Sequence, residues 1–241
     1  MIEVLLFDLG STLLYSPSPW PSFFERADNA MLDVLLQNGI NLERTKFLRD
    51  IQAHLDNYYA QRDKDNIEKT WMVSLREFLA ERGYADIPDP VLRAALDALF
   101  AVTQTNWVVE EDAIPTLRIL KGEGYRLGLV SNAADDKNVQ QLVDRWGLRS
   151  YFEFIVTSAA CGVRKPRPEI FQLALDHFKI SPEKAAMIGD TLGADIEGAN
   201  QMGMYSVWIK RRAERTDPDT IPQATVEYLK DIPNLLSQLR D

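Results

Sequence analysis

Five short apolar runs, each closed by a polar residue, constrain this chain more than any other feature. Val4-Leu5-Leu6-Phe7 ends in Asp8, and the run from Arg126 to Val130 ends in Ser131-Asn132. Phe154-Ile155-Val156 ends in Thr157-Ser158, Ala185-Ala186-Met187-Ile188 in Gly189-Asp190, and the run from Tyr205 to Ile209 in Lys210. Runs without polar alternation suit strands of a parallel sheet buried on both faces. Helical periodicity separates most of them. Ile114, Leu117 and Leu120 share one face, with Gly124 as a stop signal. Val139, Leu142, Val143 and Trp146 share another, and Ile170, Phe171, Ala174, Leu175 and Phe178 a third. Ser181-Pro182-Glu183 predicts a further helical start. This alternation implies an α/β fold with a parallel sheet. Ligands of such sheets bind beyond the carboxyl ends of the strands, where the polar residues just named stand.

The first run breaks the rhythm. Ser16-Pro17-Ser18-Pro19-Trp20-Pro21 cannot continue a helix and reads as a linker. From about residue 23 to 100 the periodicity is helical only. Phe23, Ala27, Met31 and Val34 recur on one face, Trp71, Leu75, Phe78 and Leu79 on a second, and Val91, Ala95, Leu99 and Val102 on a third. A helical insertion between the first and second strands is therefore expected. The α/β part would comprise residues 1–15 and 108–241, and the insertion residues 16–107.

A length of 241 residues allows one domain carrying an insertion. The net charge of -9 argues against nucleic acid or an acidic membrane surface as partner. No apolar run reaches the ~20 residues of a membrane span. The single cysteine, Cys161, excludes an intrachain disulfide and fits a reducing compartment. No base stands beside it in sequence, so a structural role is expected. With no basic leader at Met1, a cytoplasmic location is expected.

Four motifs stand in order at strand ends or in the loops after them: Phe7-Asp8-Leu9-Gly10-Ser11-Thr12-Leu13, Leu129-Val130-Ser131-Asn132, Gly162-Val163-Arg164-Lys165-Pro166, and Gly189-Asp190-Thr191 with Asp195. Alone, each fits a bland role. Asp8 could be a turn or N-cap residue, Ser131 and Asn132 turn residues, Asp190 and Asp195 acids at a helix start, and Lys165 a solvated cation. Together they make the chain resemble the haloacid dehalogenase superfamily, in the branch with a helical cap after the first strand. The resemblance covers nearly the whole chain. It implies a Rossmann-like, doubly wound parallel sheet with an inserted all-α cap.

The resemblance also implies chemistry. Asp8 would attack phosphorus as a carboxylate nucleophile, giving an aspartyl-phosphate that water then cleaves. Asp190 and Asp8 would hold Mg²⁺, with the backbone carbonyl of Gly10 as a further ligand and Asp195 in support. Ser131, Asn132 and Thr12 would bind the phosphoryl group, and Lys165 would supply a fixed positive charge. Arg164 and Arg167 would be surface residues or peripheral phosphate contacts. The substrate would be a small phosphorylated metabolite, and the protein a monomer or homodimer.

One position departs from the pattern. Phosphatases of the superfamily carry a second aspartate two residues after the nucleophile, as acid and base, and here that residue is Gly10. General acid–base catalysis is typically worth about 10²–10⁴-fold. The substrate could have a good leaving group, or an acid from the insertion could substitute, with Glu25, Asp28 and His54 as candidates. The bond could also differ. Members that cleave carbon–halogen bonds lack this aspartate but need no metal, which leaves Asp190 unexplained. Members that cleave carbon–phosphorus bonds would need a cap lysine, such as Lys46, Lys64 or Lys69. A phosphate-binding module with weak or no turnover is the remaining alternative. Restoring the acid by Gly10→Asp is expected to raise the rate on alkyl phosphates. Tyr15, Trp20, Phe23 and Phe24 follow the nucleophile and could line the pocket or pack the hinge.

Overall fold

The computed structural model describes residues 1–213 and 219–239. Its main sheet is parallel throughout, in the order β5-β4-β1-β6-β7-β8. The strands are β1 (Val4–Phe7), β4 (Arg126–Ser131), β5 (Phe154–Thr157), β6 (Ala185–Gly189), β7 (Tyr205–Ile209) and the short β8 (Ala224–Val226). The five apolar runs form the first five of these. Their lack of alternation has a direct cause. On β1, Leu5 and Phe7 enter one core while Val4 and Leu6 enter the other, and all four are fully buried. Helices α5 (Ala113–Gly122), α6 (Asp136–Arg145) and α10 (Ile232–Gln238) pack on the first face. Helices α8 (Pro168–Phe178) and α9 (Glu197–Met202) pack on the second. A helix layer on each face makes the sheet doubly wound.

The strand order places the site. From β1 the chain moves to β4 and then to the edge strand β5, and it returns to the other side of β1 with β6. The two directions of winding separate at β1, so a crevice opens at its carboxyl end.

Between β1 and β4 stand four helices with a core of their own: α1 (Pro21–Gln37), α2 (Arg44–Asp65), α3 (Trp71–Ala80) and α4 (Asp89–Thr103). Met31, Leu35, Phe47, Phe78 and Leu96 are among its buried residues. The chain leaves for these helices through β2 (Leu14–Tyr15) and returns through β3 (Val108–Val109), and the two pair as an antiparallel ribbon. Helix α2 was not legible as a separate element. Its buried stripe is only Phe47, Ile51 and Leu55, four residues apart on an otherwise polar helix. Its start is set by the Glu43 carboxylate, which accepts from the backbone N–H groups of Thr45 and Lys46 at 2.8 and 2.6 Å.

The insertion is fastened to the sheet part at several points. Trp71 N–H donates to the carbonyl of Ala134 at 2.9 Å. Arg93 pairs with Asp135 at 2.6 Å, and Asp135 also caps α6 by accepting from Asn138 N–H. Ile67 forms a bridge with Val163, next to the loop that carries Lys165. Among the described residues no helix is long and apolar enough to cross a membrane.

Candidate active site

Asp8 stands one residue past β1, and its backbone N–H still donates to the carbonyl of Ile188 at 2.9 Å. The sheet thus fixes the backbone that carries this carboxylate. Asp190 stands one residue past β6, the neighbouring strand. Asp195 follows on a π-helical turn, Leu192–Ile196. One carboxylate oxygen from each of Asp8, Asp190 and Asp195 lies within 4.8 Å of the others. Residues distant in the chain therefore converge at one point.

Lys165 lies at the centre of this cluster and is 2% exposed. Its ammonium donates to Asp8 Oδ1 at 2.6 Å and to the carbonyl of Val130 at 2.6 Å. It forms an ion pair with Asp195 Oδ1 at 2.6 Å. Three oxygens thus surround a group with three donors. Burial works against charge on Lys165, but the carboxylates of Asp195 and Asp8 outweigh it and hold the ammonium protonated. Asn132 clasps the lysine's backbone, its Oδ1 accepting from Lys165 N–H at 2.8 Å and its Nδ2 donating to Lys165 O at 3.0 Å.

One cation does not neutralise three acids. Burial, reinforced by Asp195, pushes the Asp8 carboxyl up to about 6 despite Lys165. Burial, together with Asp8 and Asp195, pushes Asp190 up to about 8. Buried carboxylates facing one another without enough positive charge suit a divalent cation, and the donors are hard oxygens of the kind magnesium takes. The residues present therefore fit the ion.

The backbone and neighbours are shaped around these acids. A Cβ on Gly189 would sit 2.2 Å from Asp195 Oδ2, so only glycine lets that carboxylate reach back against β6. The same Oδ2 accepts from Thr191 N–H at 3.0 Å. Trp208 Nε1 donates to the carbonyl of Asp190 at 2.8 Å. Ser11 has φ 58°, the left-handed region that non-glycine residues enter rarely and mostly where a site demands it.

A cavity of about 620 Å³ opens over the cluster, lined by Asp8, Gly10, Ser131, Asn132, Lys165, Asp190 and Asp195 among others. Thr12, expected at the phosphoryl group, is 1% exposed, does not line the cavity, and donates to Asp190 Oδ1 at 3.3 Å. Its hydroxyl orients an acid. Asp63 and Asn66, from the end of α2 and just beyond it, also line the cavity.

The candidate replacement acids lie elsewhere. Glu25 is exposed, and His54 Nε2 is 3.1 Å from Ser74 Oγ in a separate cleft. Asp28 is buried, but in a second cavity. Lys46 and Lys64 are exposed, Lys69 pairs with Glu77 at 2.6 Å, and none of the three lines the main cavity. Of the aromatic residues that follow Asp8, namely Tyr15, Trp20, Phe23 and Phe24, the second cavity is lined by Trp20 and Phe24, and the first by none. Tyr15 instead stacks under Arg212, 4.2 Å from its ring centroid. Arg167 is half-buried and pairs with Glu169, whereas Arg164 lines the main cavity.

Cys161 is half-buried and burial pushes its thiol up, away from the thiolate a nucleophile needs. Glu68 escaped the sequence reading. It is fully buried in its side chain, pairs with Arg164, and accepts from Tyr58 and Ser158 hydroxyls. A carboxylate in the charged stretch from Asp63 to Lys69 carries no sequence signal of burial.

The indole of Trp107 stands over Gly10, and Trp107 lines both cavities. Trp107 lies in the segment returning from the insertion, just before β3.

Residues 2–203 match the haloacid dehalogenase-like hydrolase family. The chain is 29% identical over 244 residues to a glyceraldehyde 3-phosphate phosphatase of Methanopyrus kandleri, covering 99% of each chain. It is 38% identical over 212 residues to the protein of that name from Pyrococcus abyssi, covering 87% of this chain and 82% of the relative. Among solved structures it superposes on a HAD phosphatase from Thermococcus onnurineus with TM-score 0.69 and 23% identity, over 98% of both chains. It superposes on a 2-haloacid dehalogenase from Pseudomonas syringae with TM-score 0.70 and 25% identity, over 99% of this chain and 100% of the other. With the sheet order, the converging acids and the buried lysine, this match places the chain in the haloacid dehalogenase-like hydrolase family.

Proposed function

We propose that this protein is a magnesium-dependent hydrolase of small phosphate monoesters that works through an aspartyl-phosphate on Asp8. The observation that carries the reading is the meeting of Asp8, Asp190 and Asp195 within 4.8 Å, with Lys165 bound to Asp8. The phosphatase names of relatives that match nearly the whole chain support it.

Lys165 holds Asp8 Oδ1, so the carboxylate is pre-oriented for attack. Attack forms an Asp8–O–P bond and breaks the ester P–O bond, releasing the alkoxide, which takes its proton from water. Water then cleaves the aspartyl-phosphate and regenerates the carboxylate. Ser131, the second amide hydrogen of Asn132 and the backbone beyond β4 would donate to the transferring phosphoryl group, and Lys165, its three donors taken by Asp8, Asp195 and Val130, would act on it as a fixed positive charge. Asp8, Asp190 and the carbonyl of Gly10 would hold magnesium, supported by Asp195, and the ion would screen the repulsion between carboxylate and phosphate. Thr12 and Trp208 act by orienting Asp190. Residues 16–107 act as a cap that excludes water and selects the substrate, hinged on the β2–β3 ribbon.

Gly10 offers no proton to the departing alcohol. The rate therefore depends steeply on the leaving group, and activated esters are favoured. The test is release of phenolate from an aryl phosphate, with and without Mg²⁺, by the wild type and by Asp8→Asn. Metal-dependent turnover lost in Asp8→Asn is the expected result. No turnover of any phosphate ester, together with metal-free halide release from a 2-haloacid, would replace the reading with a dehalogenase. That second reading has one observation in its favour, the absence of an acid at residue 10, and the 25% identical dehalogenase as a precedent on this fold. Binding of a phosphate mimic without turnover would instead indicate a phosphate-binding module.

A further inference from the structure

Asp28 is a buried acid that the proposed chemistry leaves unused. It sits on α1 at 8% exposure and makes no hydrogen bond or ion pair among the described residues. It faces a cavity of about 330 Å³ walled by aromatic rings: Trp20, Phe24, Tyr59, Trp71, Phe100 and Trp107. No lysine or arginine lines that cavity among the described residues. Arg49, across an outer recess that Asp28 also borders, is committed to Asp50 at 2.9 Å.

An unpaired carboxylate in an apolar cavity costs free energy unless something compensates it. Here nothing in the chain does, and burial alone pushes the carboxyl up to about 6. Aromatic faces around one anionic group match a particular ligand. Their π-clouds attract a cation, and an alkylated ammonium needs few hydrogen-bond acceptors. Beside Asp28 the wall offers only Gln52, Thr103, Asn138 and the Tyr59 hydroxyl as side-chain acceptors, and an alkylated ammonium needs none of them.

The cavity adjoins the main one, since Trp107 and Asn138 line both. A substrate with its phosphate over Asp8 could place its alcohol portion here. We propose that this cavity is the leaving-group pocket and that it takes an alkylated ammonium, so that the substrate is a phosphate ester of an ammonium-bearing alcohol. This rests on the phosphomonoesterase reading above for the phosphate end, but not for the ammonium end. The chemistry of Gly10 agrees with it. A cationic nitrogen near the ester oxygen withdraws electrons and stabilises the departing alkoxide, which lessens the need for the missing acid.

The test separates the two ends. The wild type, in Mg²⁺, is titrated with 2-(trimethylammonio)ethanol and with its neutral carbon isostere 3,3-dimethylbutan-1-ol, following the fluorescence of the cavity tryptophans. The ammonium alcohol should bind at least tenfold tighter, and Asp28→Asn should cut that ratio at least threefold, the remainder being the pull of the aromatic rings. Equal binding of the two alcohols, or a preference that Asp28→Asn leaves unchanged, overturns the proposal. Turnover of the aryl phosphate by the wild type is read separately. Its loss would remove the phosphatase reading while the alcohol titration still decides the pocket.

Discussion

The outer ring edge of Trp107 stands 3.3 Å from where a Cβ on Gly10 would sit. A side chain at residue 10, two positions past Asp8, meets an indole from the returning segment, which must give by a few tenths of an ångström. That contact changes what Gly10→Asp should do. The expectation that it restores a proton donor assumed an open position. In the folded protein the new side chain must push Trp107 aside, and overpacking of this kind typically costs ~1–3 kcal/mol. Gly10→Asp alone is therefore expected to lower the urea midpoint and leave the alkyl phosphate rate within a few-fold of wild type. Adding Trp107→Phe removes the crowding ring edge. The double variant should then show at least about tenfold faster alkyl phosphate turnover than Gly10→Asp. A single variant already that fast would mean that Trp107 gives way freely.

Lys165 serves both stability and rate. Lys165→Met leaves Asp8 and Asp195 buried and facing each other without their cation. Breaking a buried pair in this way costs about 3–5 kcal/mol, and losing a preorganised donor costs about 10²–10³-fold in rate. Adding Asp195→Asn should recover part of the stability, because one of the stranded charges is gone, and none of the rate. Denaturant melts and aryl phosphate turnover on the same samples check both halves. Rescue of the rate together with the stability would mean that Lys165 acts only as a structural counter-ion.

The strands and their ends were the legible part, because a run buried on both faces has no alternation and stops where the chain meets the crevice. Asp8, Ser131 and Asp190 were found that way, and the parallel order β4-β1-β6 brings them together. What escaped reading depends on contacts across the chain. Trp107 over Gly10, Thr12 on Asp190 and Asn132 on the Lys165 backbone leave no periodic trace. Strands β2 and β3 are two residues each, too short for any pattern. Asp28 was noted only as a possible acid. Its aromatic surroundings come from α1, α2, α3 and α4 and from the segments that flank the insertion, and only packing assembles them.

Glu68 ties the insertion to the loop that carries the lysine. Its carboxylate is shared by Arg164, Tyr58 and Ser158, and the neighbouring backbone bridges from residue 68 to 162 and from 164 to 66. Glu68→Gln keeps the shape but strands Arg164 without its partner. The expected result is a KM raised several-fold with a smaller change in kcat, since the helical insertion and the loop lose register while Asp8 and Lys165 keep theirs. Glu68→Asp should recover part of it. Unchanged KM with a lowered melting temperature would reduce Glu68 to a purely structural residue.

Asp28 should make the protein less stable at high pH. Its carboxyl is raised to about 6 by burial, so between its ordinary value and 6 the folded state holds a proton that the unfolded state releases. Stability then falls as pH rises through that window, by up to about 3 kcal/mol for a shift of this size. Asp28→Asn removes the effect. The variant should be more stable than wild type at pH 8, and the gain should shrink toward zero as pH drops to 4. Urea titrations at those two pH values measure it. A constant difference would show that packing, not ionisation, separates the two proteins.

The three acids that converge beside Lys165 predict how metal and pH interact. In the metal-free protein Asp8 is raised to about 6 and Asp190 to about 8, each chiefly by burial and then by its carboxylate neighbours. Both shifts have the same sign as that of Asp28. The metal-free fold holds protons that the unfolded chain gives up, so its stability falls as pH rises toward 8. A divalent cation must displace those protons, and it binds the ionised cluster. Magnesium should therefore raise the melting temperature little at pH 5 and progressively more toward pH 8, following the mass-action gain for a ligand of the folded state. Asp190→Asn should flatten both curves: the metal-free protein loses less stability on going alkaline, and added magnesium does less. A magnesium shift that is the same at pH 5 and pH 8 in the wild type would mean that the ion is not held by these carboxylates.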